Sequence, residues 1–201
     1  MNLKQLFYIA ILLAVGCKNG TKSEASVSQN NTIAIANQFI DAFYSFNRDS
    51  LKGTLSVAEE SQPSILYYQK WAECGNYEIV KRFNCEEKND TLVICPIMVK
   101  DDLMSALQID LNVTDTFHIT IKNQQIRSVQ TSSNDPDLYY EAREWMNKNR
   151  PELIEEPCKG MWEGGPTPCE CIIAIVQGLT EFKAHVGRNA VKAGHRPRAT
   201  Q

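Results

Sequence analysis

The chain is poor in the patterns on which most enzymatic chemistry rests. It has three histidines in 201 residues, and none is spaced from a cysteine as a base is from its nucleophile. It has no glycine-rich phosphate loop, no G-x-S-x-G turn and no H-E-x-x-H helix. The familiar routes to phosphoryl transfer, serine hydrolysis and zinc proteolysis are therefore missing, and no cofactor is implied. Basic excess is lacking too, with 21 Lys and Arg against 24 Asp and Glu and a formal net charge of -3. That balance argues against nucleic acid as a partner. Residues 1–16 hold one basic and no acidic residue and residues 187–201 four basic and no acidic, so the acidic excess sits in the body between them. The rest is ordinary. At 43% hydrophobic and 22% charged, the composition is that of one globular domain with appendages.

What is present begins with an address. Lys4 precedes an apolar run from Leu6 to Val15, far short of the roughly 20 residues that cross a bilayer but suited to the core of a secretory signal. The run ends in Ala14-Val15-Gly16-Cys17, which resembles the lipobox of bacterial lipoproteins. It departs from that pattern in carrying Ala14 where leucine is usual. The resemblance implies a signal peptide over 1–16, an acylated Cys17 and a chain exported to the bacterial cell envelope and held to a membrane by its lipid. The alternative is an ordinary cleaved signal that ends near a cysteine. Residues 18–31 are rich in Ser, Asn and Lys with almost no apolar side chain, and the expectation is a flexible tether over 17–31.

Six further cysteines remain: Cys74, Cys85, Cys95, Cys158, Cys169 and Cys171. An even number in an exported chain points to disulfides. Strand-forming residues flank Asn89-Asp90, and a three-residue loop at 89–91 sets Cys85 opposite Cys95, within bridging distance. The other four should clamp the C-terminal segment, Cys158 to Cys169 or Cys171 and Cys74 to whichever is left. The rival reading is a zinc site made by Cys158, Cys169, Cys171 and His185. Cys-x-Cys is not the usual zinc spacing, so no metal is expected.

Periodicity orders the body, 32–186. Ile33, Ala36, Ile40, Phe43 and Phe46 mark a helix over 32–47, capped by Asn31 or Thr32. A short helix opens at Asp49 and ends near Gly53. A third runs from Ser61 to Ala72 with Gly75 as a left-handed stop. The period then changes to two. Strands are expected over 77–83, 91–99, 105–112, 115–121 and 126–130, joined by short turns as an antiparallel meander. The strand over 91–99 is apolar on both faces and should be central, with Pro96 at a bulge or an unpaired point. Asp135 should cap a helix that Pro151 stops. After a Gly- and Pro-rich loop, Thr167-Pro168-Cys169-Glu170 should open a last helix reaching Val186. A frayed basic tail is expected over 187–201.

This order, α+β with helices first and an antiparallel sheet after, resembles the nuclear transport factor 2-like superfamily, with its SnoaL-like and ketosteroid isomerase-like members. The residues that carry the resemblance are the opening helix from Phe39 to Asp49 and the turn phrase from Phe117 to Ile126. It covers about 31–133, the core being 32–133 and 134–186 a helical extension. The resemblance implies a curved, cone-like sheet around an apolar pocket. Some members of the family are isomerases, cyclases or dehydratases, and many bind ligands without chemistry. The isomerases use an acidic base beside a tyrosine and an acid. The tyrosine position of the first helix is Phe39 here, and no strand shows an evident pair of acids on its inner face. The implied catalytic set is therefore absent.

The candidate contact residues are Asp41, beside the apolar stripe of the first helix, Tyr68 and Trp71 at a pocket mouth together with Tyr67, and Trp162 in the cysteine-framed loop. His118 alternates with Thr116 and Thr120 and should lie on the outer, partly solvated face; a third reading makes that face a homodimer surface. Asp101-Asp102 should form a turn. The leading expectation is a membrane-tethered binding domain, whose partner is an apolar small molecule or an envelope protein. The alternative is a small SnoaL-like enzyme acting on an apolar molecule.

Overall fold

The computed structural model describes residues 22–161 and 169–192. Three helices come first: α1 (Lys22–Tyr44), α2 (Arg48–Thr54) and α3 (Gln62–Cys74). Strands β1 (Glu78–Arg82), β2 (Glu86–Glu87) and β3 (Leu92–Lys100) follow, then a short helix α4 (Asp102–Ala106) and the long strands β4 (Val113–Lys122) and β5 (Gln125–Ser133). Helices α5 (Asp137–Asn149), α6 (Pro151–Ile154) and α7 (Cys169–Lys192) close the chain. The fold is α+β, an open five-stranded antiparallel sheet with helices before and after it in sequence.

The sheet runs in the order β1-β3-β4-β5, with β2 also paired to β3. β3 is central, as its two apolar faces require. Pro96 sits in it without breaking it, for a geometric reason. Its carbonyl accepts from the Phe83 N–H on the β1–β2 side, so the N–H that proline lacks would also point there, into the gap between two short strands. A partner is not missed. The bulge lies instead in β1, between Ile79 and Lys81. The β4–β5 hairpin turns through Asn123 and Gln124, both at positive φ (53° and 59°), the mirror-image turn that suits the strand twist.

The inner face of the sheet carries Val93, Cys95, Ile97 and Val99 from β3 and Val113, Phe117, Ile119 and Ile121 from β4, all buried. Helix α1 lays Phe39 and Phe43 on Phe117, with ring centroids 5.7 and 4.9 Å apart. Gln69 of α3 is buried and its amide donates to the Ala42 and Phe43 carbonyls at the end of α1. Both carbonyls lie in the last turn of α1 and also accept from Ser45 Oγ and the Phe46 N–H, so the amide adds to that cap and ties α3 to the end of α1. α7 packs against α5, α4 and α3. Gly178 makes the α5 contact possible, because a Cβ there would come within 2.1 Å of the Met146 sulfur.

The bridges are Cys85–Cys95, Cys74–Cys169 and Cys158–Cys171. Cys85 faces Cys95 because β2 pairs Glu86 with Ile94 and the Asn89 carboxamide closes the 89–91 loop onto the Thr91 and Leu92 N–H groups. Cys74–Cys169 ties the end of α3 to the start of α7 across 95 residues. With Cys158, Cys169 and Cys171 oxidised, the thiolates of a zinc site are consumed. Three bridges are the mark of a domain that matures in an oxidising, non-cytoplasmic compartment. Among the described residues no helix is long and apolar enough to cross a membrane.

Several expectations are corrected. Residues 105–112 are not a strand. Asp101 accepts the Met104 N–H at 2.8 Å and caps α4, and Leu103, Met104 and Leu107 bury at helical spacing. Asp101-Asp102 is thus a helix start rather than a plain turn. Helix α1 starts at Lys22, inside the segment expected to be a tether; lengthening an existing helix avoids the cost of nucleation. The left-handed residue after α3 is Asn76 (φ 53°), while Gly75 is needed for closeness, since a Cβ would meet the Tyr77 ring at 3.0 Å. Pro136, extended, precedes α5 in place of Asp135 as cap. Pro151 does end α5, but it also opens α6, where proline suits the first turn. α7 continues to Lys192, past the expected end at Val186. Cys17, Trp162, Thr167 and the rest of the tail lie outside the described residues.

Candidate functional site

Alternation along β4 places Asp115 on the same inner face as Val113 and Phe117. It is opposite Ile97 of β3 and Ser133 of β5, and only 1% of its surface is exposed. A carboxylate there needs donors. Tyr44, the last residue of α1, donates its hydroxyl to Asp115 Oδ2 at 3.3 Å, and the Tyr68 hydroxyl from α3 also favours the ionised form. Tyr77, on the link from α3 to β1, feels both Asp115 and Asp101. Three phenols and two buried acids therefore lie near one another where the first helices, one end of the β3–β4 ladder and α4 converge.

Burial dominates the electrostatics. It pushes the Asp115 carboxyl up to about 6, against the opposing hydrogen bonds from Tyr68 and Tyr44. It does the same to Asp101, up to about 6, against the backbone N–H groups of Met104 and Leu103 that its carboxylate caps. Burial likewise holds the Tyr44, Tyr68 and Tyr77 hydroxyls well above their ordinary range, and the charge of Asp115 adds to this for Tyr44 and Tyr68. For Tyr77 the larger charge effect comes from Asp101. All three remain donors at physiological pH. The site thus pairs an acid that titrates near neutrality with phenols that do not.

Asp115 forms part of the wall of a cavity of about 680 Å³, within the range of small-molecule sites. One side is apolar and aromatic, from Ile65, Tyr68, Trp71 and Met104. The other is more polar, with the Thr131 to Ser133 end of β5 and, from α5, Tyr139, Tyr140 and Arg143. The site therefore joins the first half of the chain to the helical extension. The Cys74–Cys169 bridge fastens those two parts at the end of α3, the helix that bears Tyr68 and Trp71.

Of the residues singled out in the sequence, Tyr68 and Trp71 line this cavity, as does Tyr67. Asp41 does not. It is exposed, ion-paired with Arg82, and borders a separate depression with Gln38, Ser50 and Gln125; β1 takes the charge that would otherwise be available to a ligand. Phe39 is fully buried core, and Tyr44 at the end of the same helix carries a hydroxyl to Asp115. His118 is half-buried on the outer face and shares a 3.0 Å hydrogen bond with Ser132. Asp115 was missed, although it is two residues from Phe117 and so on the face already assigned to the core. The period-two pattern that gave the face also gave the acid. The expectation concerned a pair of acids on an inner strand face, and Asp115 is a single one.

Compared with protein-family models, with curated proteins and with solved structures, the chain matches none.

The raised acids carry a sign for stability. The native state keeps protons on Asp115 and Asp101 that the unfolded chain, with carboxyls near 3.8, has already released. Their contribution to stability is full below about pH 4 and is lost as pH rises through about 6. A shift of two units is worth about 3 kcal/mol for each group. The thermal midpoint is expected to fall between pH 4 and 6.5, and Asp115→Asn to remove about half of that fall, Asp101 keeping the rest. Calorimetry across this range checks both.

Proposed function

We propose that this chain is an exported, membrane-tethered domain of the nuclear transport factor 2-like kind that binds an apolar small molecule. The observation that carries the binding is the cavity of about 680 Å³ with its aromatic wall and its single deeply buried carboxylate. A cavity of this size with one apolar side and one more polar side suits a ring-bearing or branched hydrocarbon that carries a hydrogen-bonding substituent. Asp115 and its tyrosines would help to fix the orientation of the bound molecule. The order of elements, helices and then an antiparallel sheet, supports the family reading, and the bridges support export. The lipobox-like Ala14-Val15-Gly16-Cys17 supports attachment through lipid on Cys17.

A second reading is favoured by one observation, the Asp115 carboxyl pushed up to about 6 beside Tyr44 and Tyr68. An acid tuned toward neutrality can take a proton from carbon next to a carbonyl, and a neighbouring phenol can hold the oxygen that becomes negative. On this reading the domain isomerises or dehydrates the molecule it binds. In an isomerisation the proton leaves the carbon for Asp115 and returns at another carbon; in a dehydration the carbanion expels a β-hydroxyl, which takes that proton from Asp115 and departs as water.

Binding is checked by titration with N-phenyl-1-naphthylamine, whose emission rises in apolar sites. A saturable rise is expected, and Val129→Trp, which fills the cavity from β5, should abolish it with the circular dichroism unchanged. A rise unaffected by that substitution would count against the cavity as the site. Catalysis is checked with 3-cyclohexenone, followed by the absorbance of the conjugated enone. The rate should increase with pH through about 6 and drop about 10²–10⁴-fold in Asp115→Asn. For the anchor, intact mass of the membrane-extracted protein should show a start at Cys17 with added acyl mass, and Cys17→Ser should move the protein to the soluble fraction.

A further inference from the structure

Among the arginines of the folded body, Arg48 and Arg127 lack an ion pair, as Arg143 does, but both are exposed to water; Arg143 differs in being half-buried, with a buried Nε that has no partner. Arg82 is held by Asp41 and by the carbonyl and side chain of Asn37. Arg150 is held by Glu152 and Glu181. Arg143, half-buried on α5, has no ion pair among the described residues, and its one hydrogen bond goes from Nη1 to the Tyr139 hydroxyl at 2.8 Å. Its guanidinium lies over the Tyr139 ring, 5.7 Å from the centroid. Its Nε is buried and without a hydrogen-bond partner. It forms part of the cavity wall.

A buried, unsatisfied N–H on a charged group is costly. The α5 turn bearing Tyr139 and Arg143 holds the guanidinium on one side and leaves donors of its fork to spare. The acids lining the same cavity are Asp115 and Asp135; Asp135 accepts the Tyr140 hydroxyl at 3.3 Å, and neither forms an ion pair with Arg143. A planar fork with free donors in a partly dry cavity is matched by a carboxylate, which accepts two parallel hydrogen bonds. We propose that the ligand of this cavity is an amphiphilic carboxylic acid, with its carboxylate on Arg143 and its apolar body against Tyr68 and Trp71. The proposal rests on the cavity being a ligand site and adds the chemical class of what enters it. It also assigns the two ends. Asp115 repels the carboxylate and keeps it at the α5 side, where Arg143 attracts it, so the ligand has one orientation.

The test uses 9-anthracenecarboxylate and its neutral counterpart 9-anthracenemethanol as competitors against bound N-phenyl-1-naphthylamine at pH 7.5. In the wild type the acid is expected to displace the dye at a concentration about tenfold lower than the alcohol. Arg143→Met should erase that advantage while leaving the alcohol within about twofold, and Arg143→Lys, which keeps the charge but not the fork, should retain only part of it. Acid and alcohol displacing equally from the wild type would overturn the proposal and leave the binding site standing. Absence of dye binding would overturn both. The wild-type comparison decides the matter even where Arg143→Met fails to fold, and dichroism identifies that case. An acid advantage that persists in folded Arg143→Met would also overturn it.

Discussion

The structure depends on a seam of aromatic rings between α1 and β4. Phe39 and Phe43 pack on Phe117 at edge-on angles, and Tyr44 joins the same cluster with its ring 4.9 Å from Phe43. Burial of such rings is the largest favourable contribution that single side chains make. It also fixes what surrounds it. With Phe117 locked against α1, the strand's alternation carries Asp115 inward and brings it to Tyr44 at the helix end. The acid is buried because its neighbour is core, and its hydroxyl donor arrives on the helix that makes the core.

The cavity is the consequence of a second constraint, the docking of the C-terminal helices. Tyr139, Tyr140 and Arg143 come from α5, and α5 is positioned by α7 through the tight contact at Gly178 and the tilted ring contact of Trp145 with Phe182. α7 is in turn fastened to α3 by Cys74–Cys169 and to the segment after α6 by Cys158–Cys171. Small shifts in these helices would move one wall against the other. The bridges therefore protect the shape of the site as well as the stability of the fold. They also explain how a cavity with several buried polar groups, each costly to desolvate, persists in a domain of this size.

Much of the fold was legible because its signals are local. Cys85 and Cys95 needed only a hairpin of the right length, the β4–β5 turn only residues that tolerate positive φ, and the centrality of β3 only its apolar faces. The errors arose where two periods compete over a short stretch. Leu103, Met104 and Leu107 fit a helix, while Ala106 to Leu111 fits an alternating strand, and the Asp101 cap decided for the helix. At the site, Tyr68 and Trp71 were visible as aromatics at helical spacing. Asp115 follows from the alternation around Phe117, but a lone carboxylate near a strand start has no sequence signal that separates a buried acid from a solvated one. Arg143 carried a weaker signal, its four-residue spacing from Tyr139.

By itself the sequence determined the α+β order, the exported character written in its cysteines, and the pairing of residues close along the chain. These follow from backbone geometry and side-chain period, which act over a few residues. Only the tertiary structure decided that Tyr44 meets Asp115 across 71 residues, that Cys74 takes Cys169 and Cys158 takes Cys171, and that α5 closes the cavity with an arginine. Those outcomes depend on how separate amphipathic faces pack together. The physical reason is that burial, which raises the Asp115 carboxyl and leaves the Arg143 guanidinium short of partners, is a property of the assembled core and of no segment alone.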